Sequence, residues 1–286
     1  MKPSTIHLFL AALICTLAGC ASPQICTREL AKSEPKATAL LTESRRAQGA
    51  DAFAKIRDIN VSYEGRWASL GPRFQPVLAD TEFRGSSEER LIPAKRIIAQ
   101  KHSGPAGIKV VLRQPGKTAI DYNGAPSTND EALRAAALVA DAYTMFLTGP
   151  HYFNRPGITL SQNGEAVVDH SPCDALLAVL RPGFGAAAED RVILFIDRTT
   201  KQLRRVRMTL NGLESTRGAE VDVTFRDFRR IDGVLWPTDF DERIRVPFDL
   251  HAHHWKMTGL DTNRGLREQD LTSSGFKNRA TPLAPN

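Results

Sequence analysis

The chain has 286 residues, of which 42% are hydrophobic and 24% charged, with a formal net charge of +6. That apolar content suffices for one large or two small packed domains and excludes a disordered or low-complexity protein. No nucleic-acid-binding motif accompanies the mild basic excess, so the charge points to an anionic surface other than DNA or RNA.

The first twenty residues have the order of parts of a secretory signal: Lys2 as the positive region, Ile6 to Leu17 as the apolar run, and the small residues Ala18 and Gly19 before Cys20. The apolar run is too short to span a bilayer. The segment resembles a bacterial lipoprotein signal, in which cleavage leaves Cys20 as the first residue and lipid is attached to it. Two or three acyl chains on one cysteine hold a protein at a membrane almost irreversibly, which a single chain does not. By the same resemblance, Ala21 in place of an Asp points to the outer membrane, with the domain facing the periplasm. Loss of Lys2 leaves 37 basic against 32 acidic residues, a charge of +5 suited to anionic lipid or lipopolysaccharide phosphate. The expected organisation is a signal peptide over 1–19, a lipidated N-terminus and tether over 20–36, one domain over 37–271 and a disordered tail over 272–286.

Four cysteines reduce to two once Cys15 leaves and Cys20 is lipidated. Cys26 and Cys173 then form a candidate disulfide in an oxidising compartment, with two free thiols as the alternative.

From Thr27 to about Ile59 the apolar period is helical, with Gly49 dividing two pieces. The period then changes to two, and Ile59, Val61, Tyr63 and Trp67 share one strand face. Further strands are expected at Asp80 to Arg90, Arg96 to His102, Ile108 to Gln114 and Lys117 to Tyr122, separated by Gly and Pro turns. Residues 129 to 148 form an Ala-rich helix with a stripe of Leu133, Ala137, Ala140, Tyr143 and Leu147, capped by Asn129 or Asp130 and ended by Gly149-Pro150. A small hairpin is expected around Asn163-Gly164, and a short helix at Cys173 to Leu180. Five strand-like runs follow in a meander: Arg191 to Asp197, Gln202 to Leu210, Ala219 to Arg230, Val234 to Val246 and Leu250 to Leu260. About ten strands in one sheet must curl, which makes an inside for the interposed helices to cover.

Two stretches carry a family resemblance. Gly49 to Ile59, a helix leading into a first strand, is similar to the opening of the LolA/LolB-like superfamily of periplasmic lipoprotein carriers. Leu194-Phe195-Ile196-Asp197-Arg198-Thr199-Thr200-Lys201-Gln202-Leu203 and then Val223 to Pro237 look like its later hairpin. The resemblance spans roughly residues 37 to 262 and implies an unclosed half β-barrel, mainly β with α, whose concave apolar face is covered by helices and receives acyl chains.

Catalytic motifs are absent. No G-x-S-x-G, H-E-x-x-H or C-x-x-C occurs, and Gly183 to Ala188 fits a dinucleotide-binding glycine pattern only in letter, since no strand precedes it. The cluster Asp249, His251, His253 and His254 invites a metal, with Glu242 as a further ligand. A two-residue turn at Pro247-Phe248 instead pairs Ile244 with His251, Glu242 with His253, Phe240 with Trp255, Asp241 with His254 and Asp239 with Lys256, and cross-strand charge explains most of the cluster. No catalytic residue, cofactor or metal is therefore assigned. The candidate binding surface is apolar: Val61, Tyr63 and Trp67 on the first strand, Tyr143, Met145, Phe146, Tyr152 and Phe153 in or after the central helix, and Trp255 and Met257 on the last strand. Val221, Val223 and Phe225 share a further apolar strand face. The reading is a non-enzymatic, lipid-anchored protein holding a lipid, a lipoprotein acyl chain or another hydrophobic ligand. Its partners are membrane lipid through the anchor and an envelope protein. The competing readings are a scaffolding lipoprotein with a self-filled cavity, and a metal-dependent enzyme built on His251 and His253.

Overall fold

A computed structural model describes residues 23–272, 276 and 279–284. Cys20 and the signal segment lie outside the described residues. The chain enters as an extended strap from Pro23 to Glu34 and continues into helix α1 (Pro35–Ala47) and the single turn α2 (Ala50–Phe53). Strand β1 (Ile59–Trp67) follows, and two short turns of helix, α3 (Gly71–Phe74) and α4 (Pro76–Ala79), interrupt the strand series. A meander then runs through β2 (Ser86–Ile92), β3 (Ile97–Gly104), β4 (Gly107–Gln114), β5 (Lys117–Tyr122) and β6 (Ala125–Ser127). Helix α5 (Asp130–Thr148) and a 3-10 segment (Gly149–Phe153) lead to a second meander of β7 (Ile158–Val168), β8 (Ser171–Leu180), β9 (Asp190–Asp197), β10 (Leu203–Thr209) and β11 (Glu220–Arg226). The small pair β12 (Arg229–Ile231) and β13 (Val234–Trp236) separates these from β14 (Asp239–Val246) and β15 (Leu250–Thr262).

Thirteen strands make one sheet in the order β6-β5-β4-β3-β2-β1-β15-β14-β11-β10-β9-β8-β7, rather than the ten expected. Neighbouring strands pair antiparallel throughout, and the first strand meets the last in the middle of the sheet, with Ile59 opposite Thr262. Laid flat at about 4.8 Å per strand, the sheet would be nearly 60 Å across. Yet Leu91 of β2, Ile98 of β3 and Leu176 of β8 belong to the same buried cluster as Leu147 and Phe146 of α5. The sheet therefore curls around the helix, and β6 and β7 remain as its unclosed edges.

α5 begins where Asn129 accepts a hydrogen bond from the Ala132 amide at 2.9 Å, as the sequence suggests. Its Ala-rich buried side (Ala135, Ala136, Ala137, Ala140 and Ala142) lets it seat closely on the inner face of the sheet. α1 packs against β7 and the 3-10 segment that follows α5, with Ala37 and Leu41 in the same core.

Several expectations change. Cys173 to Leu180 is not a helix but most of β8, paired on both sides, with Leu176 opposite Leu194 and Gln162. Residues 158 to 168 are one strand rather than a hairpin, since Asn163 and Gly164 sit in a register shift between Gln162 and Glu165. The strand expected from Asp80 starts only at Ser86, after α4. Two long strands are each cut in two by the corner at Asp227 and by Pro237. The tail expected to be disordered includes Phe276 and Ala280, both buried, and Pro282, which bridges Gly259.

The tether expected over 20–36 is, from Pro23 onward, fastened to the outer face of the second meander. Leu30 is buried and Ile25 and Cys26 pack against Leu177, Val179 and Ile193. Arg207 donates to the Pro23 carbonyl, Asn163 to that of Gln24, and Arg191 to those of Cys26 and Arg28. Cys26 and Cys173 are free thiols, which corrects the candidate disulfide. Arg191, opposite Val179, holds Cys26 at one end of β8–β9, whereas Cys173 lies opposite Asp197 at the other. Six residues of strand are about 20 Å, and a disulfide needs Cα atoms within about 7 Å.

Candidate functional site: an apolar cleft beside the central helix

The aromatic residues picked out in the sequence converge beneath α5. Trp255 stacks on Phe240 at 5.0 Å and on Tyr143 at 5.2 Å, Tyr63 meets Tyr143 and Phe240 edge-on, and Phe146 packs between Trp255 and Phe225. Val61, Met145 and Met257 are buried in the same core. Tyr152 and Phe153 are buried as well, in the 3-10 turn that follows α5, with Tyr152 against Phe184. Most of these side chains therefore fill the inside of the curled sheet with one another. Trp67 alone among the ten is only half-buried, stacked on His253 at 4.0 Å.

What stays open is beside α5. A cleft of about 640 Å³ runs between α4, α5 and the inner face of β10, β11 and β14, lined by Leu78, Val139, Ala142, Phe146, Met208 and Val221 among others. It shares Gln75, Leu210, Val221 and Ile244 with a second opening of about 830 Å³ that reaches the β14–β15 turn at Phe248. Trp67, Tyr143 and Phe146 are the sequence candidates that border the first cleft. Val221, from an apolar strand face also noted in the sequence, borders it too, whereas Met208 and Leu210 were missed because in the sequence they read as ordinary strand residues.

A polar cluster, of which the sequence singled out only Glu242 and His253, closes the inner end. Arg84, 7% exposed, donates to the Leu78 carbonyl and to the Tyr143 hydroxyl, and lies over the rings of Trp67 at 5.0 Å and Tyr143 at 5.3 Å. Around it stand Glu242 in the cleft wall, and Glu89, Gln100 and His102 on the inner faces of β2 and β3. Burial pushes both the Glu89 and the Glu242 carboxyls up to about 7, against the opposing pull of Arg84 and, for Glu89, of hydrogen bonds from Gln100 at 2.8 Å and Ser87 at 3.3 Å. Burial and the Arg84 charge hold His102 and His253 well below the usual imidazole range. Apart from Glu242 and His253, which the sequence offered as metal ligands, no signal marks these groups, since a Ser-Ser-Glu-Glu-Arg strand reads as solvated on its own.

The raised Glu89 value has a measurable consequence. A carboxyl whose folded value lies above its unfolded value of about 4.5 contributes its stability fully below that pH and loses it as pH rises through 7. Glu89→Gln is therefore expected to gain about 3 kcal/mol relative to wild type between pH 4 and pH 8, read by urea unfolding at both values. A pH-independent difference would show that Glu89 is not desolvated.

The histidine cluster separates. Four of the five expected pairs hold, from Asp239 opposite Lys256 to Glu242 opposite His253, but a register shift between Glu242 and Arg243 places Arg243 opposite His251 and Ile244 opposite Leu250. His251 and His254 thus turn outward to Asp241 at 3.0 Å and Asp239 at 3.1 Å, while His253 turns inward between Trp67 and Trp255. Among the described residues no group of three or more His, Cys, Asp or Glu side chains is placed to hold a metal.

No protein-family model matches the sequence, and no curated protein matches it. Solved structures do match in shape. A LolA superfamily protein from Nitrosomonas europaea aligns over 83% of this chain and 98% of its own at 11% identity, with a TM-score of 0.51. A DUF1329 family protein from Desulfovibrio piger aligns over 84% and 99% at 11% identity and a TM-score of 0.49. A domain from Vibrio parahaemolyticus described as an outer membrane lipoprotein-sorting protein aligns over 84% and 97% at 10% identity and 0.42. With thirteen antiparallel strands left unclosed around a covering helix, the chain has the fold of the LolA superfamily.

Proposed function

We propose that the protein is a non-enzymatic envelope lipoprotein, anchored to the outer membrane through Cys20, that binds a lipid, a lipoprotein acyl chain or another hydrophobic ligand. The observation that carries this reading is the apolar cleft beside α5 and its continuity with the second opening. Its walls are mostly hydrocarbon, with few polar groups to fix an orientation, as in sites for apolar ligands. Binding there draws on apolar burial, about 0.8 kcal/mol per methylene, with few directional contacts. Transfer between membranes, lipoprotein delivery and an envelope protein partner belong to the same reading.

The test uses the mature chain, residues 20 to 286, with Cys20→Ser, stripped of lipid and titrated with a fluorescent fatty acid. Saturable binding is expected, and Val139→Trp, which fills the cleft from its half-buried helical wall, is expected to weaken it by at least about a hundredfold, the loss of a few buried methylenes. Absence of binding by the wild-type chain would favour the second reading, a scaffolding lipoprotein, whose own support is the aromatic cluster that fills the space beneath α5.

A further inference from the structure

Arg84 stands where the apolar cleft ends, bordering both that cleft and a smaller polar recess lined by Tyr63, Ser87, His102 and His253. A guanidinium stays charged at any pH a protein survives, and a buried charge is costly without an opposite one. Among the described residues no carboxylate forms an ion pair with Arg84: its hydrogen bonds go to one carbonyl and one phenol, both neutral. Glu89 and Glu242 stand near it without pairing, and burial, which pushes both up to about 7, leaves each only partly ionised at neutral pH. The other buried cation nearby, Lys109, is already paired with Asp80 at 2.5 Å. A buried positive charge held in no ion pair therefore sits at the inner end of a hydrocarbon-walled cleft, fixed by Trp67 and Tyr143.

We propose that Arg84 is the docking point for the carboxylate of a single-acid amphiphile, a long-chain fatty acid or a chemically similar molecule, whose tail lies along the cleft toward Ile244 and Leu210. The planar fork of the guanidinium suits a carboxylate, and the single unpaired charge matches one negative charge better than the two of a phosphate monoester. The inference rests on the acyl-binding reading of the cleft and adds the headgroup to it.

The experiment compares oleate with oleyl alcohol, the same chain without the acid, on the mature Cys20→Ser chain and on Arg84→Met and Arg84→Lys. Wild type is expected to bind oleate at least about tenfold more tightly, Arg84→Met to bind both alike, and Arg84→Lys to restore part of the preference. Hexanoate, an acid with little tail, is expected to bind at least about a hundredfold more weakly than oleate. A wild-type chain that binds oleate and oleyl alcohol equally overturns the headgroup assignment and leaves the acyl site standing; one that binds neither removes the acyl site as well. Should Arg84→Met not fold, carboxyl-labelled oleate on the wild type decides by NMR. A carboxylate on Arg84 stays ionised well below the pH at which the free acid protonates, whereas a headgroup in water titrates as the free acid does and overturns the proposal.

Discussion

Asp222→Ala is expected to lower the unfolding free energy by about 3–5 kcal/mol, the usual effect of stripping one partner from a buried ion pair. The Asp222 carboxylate is 4% exposed and bonds Arg207 in two places, Nε at 2.7 Å and Nη2 at 3.0 Å. Arg245 approaches it at 3.6 Å and Arg205 at 3.9 Å, so one carboxylate balances three guanidinium groups on the outer face of β10, β11 and β14. Without it Arg207 is left buried beside like charges, and the hydrogen bond from Arg207 to the Pro23 carbonyl at 3.0 Å loses its support. Equilibrium urea unfolding measures the loss, and limited proteolysis near Pro23 reports whether the strap lifts. A deficit under about 1 kcal/mol would mean that water already solvates the pair. Replacing both partners by apolar residues should recover much of the deficit, because the desolvation of two charges disappears with them.

Trp255→Ala is expected to cost a similar 3–5 kcal/mol, here through a cavity. The indole is 2% exposed and touches Phe240, Tyr143, Phe146 and His253, so its removal opens the aromatic layer between the sheet and α5 rather than a single contact. Stacked pairs of this kind add about 0.5–1.5 kcal/mol beyond burial. Thermal unfolding reads the loss. Trp255→Phe, which retains a ring in the layer, is expected to lose clearly less than Trp255→Ala; equal losses would indicate that the indole nitrogen, not the stacking, is what matters.

How far the sequence led depended on whether each element had one wet face. The strands from β10 to β15, the central helix and the cap at Asn129 follow from period and punctuation, because most of those strands alternate in sequence and that helix has a buried side, whereas β9, buried throughout, is marked only by its punctuation. β8 does not alternate. Ala175, Leu176, Leu177, Ala178, Val179 and Leu180 are all buried, since α5 and the core lie on one face and the strap on the other, and an unbroken apolar run reads equally as helix or strand. Pairing across the Pro247 turn was legible up to Glu242, where charge and ring complementarity fix it, and failed at the bulge beyond, which no residue type announces. At the site, the large aromatics were found because they are large, but they proved to be the filling of the core. The open cleft is bounded by small and aliphatic residues from α4, α5, β10, β11, β14 and β15, and Arg84 acquires its meaning only when β2 brings Glu89 beside it and α5 brings Tyr143.

The strap redraws how such a molecule would sit at a membrane. Only two residues separate Cys20 from Pro23, and three Cα steps reach no more than about 11 Å. A chain anchored at Cys20 is thus not a domain swinging on a long leash. A chain so anchored would turn its back, the outer face of β8 to β10 that carries the strap, toward the headgroups, with the cleft on the opposite side of the sheet. A cargo would then be received from the periplasmic side, with the bilayer behind the sheet rather than beneath the opening.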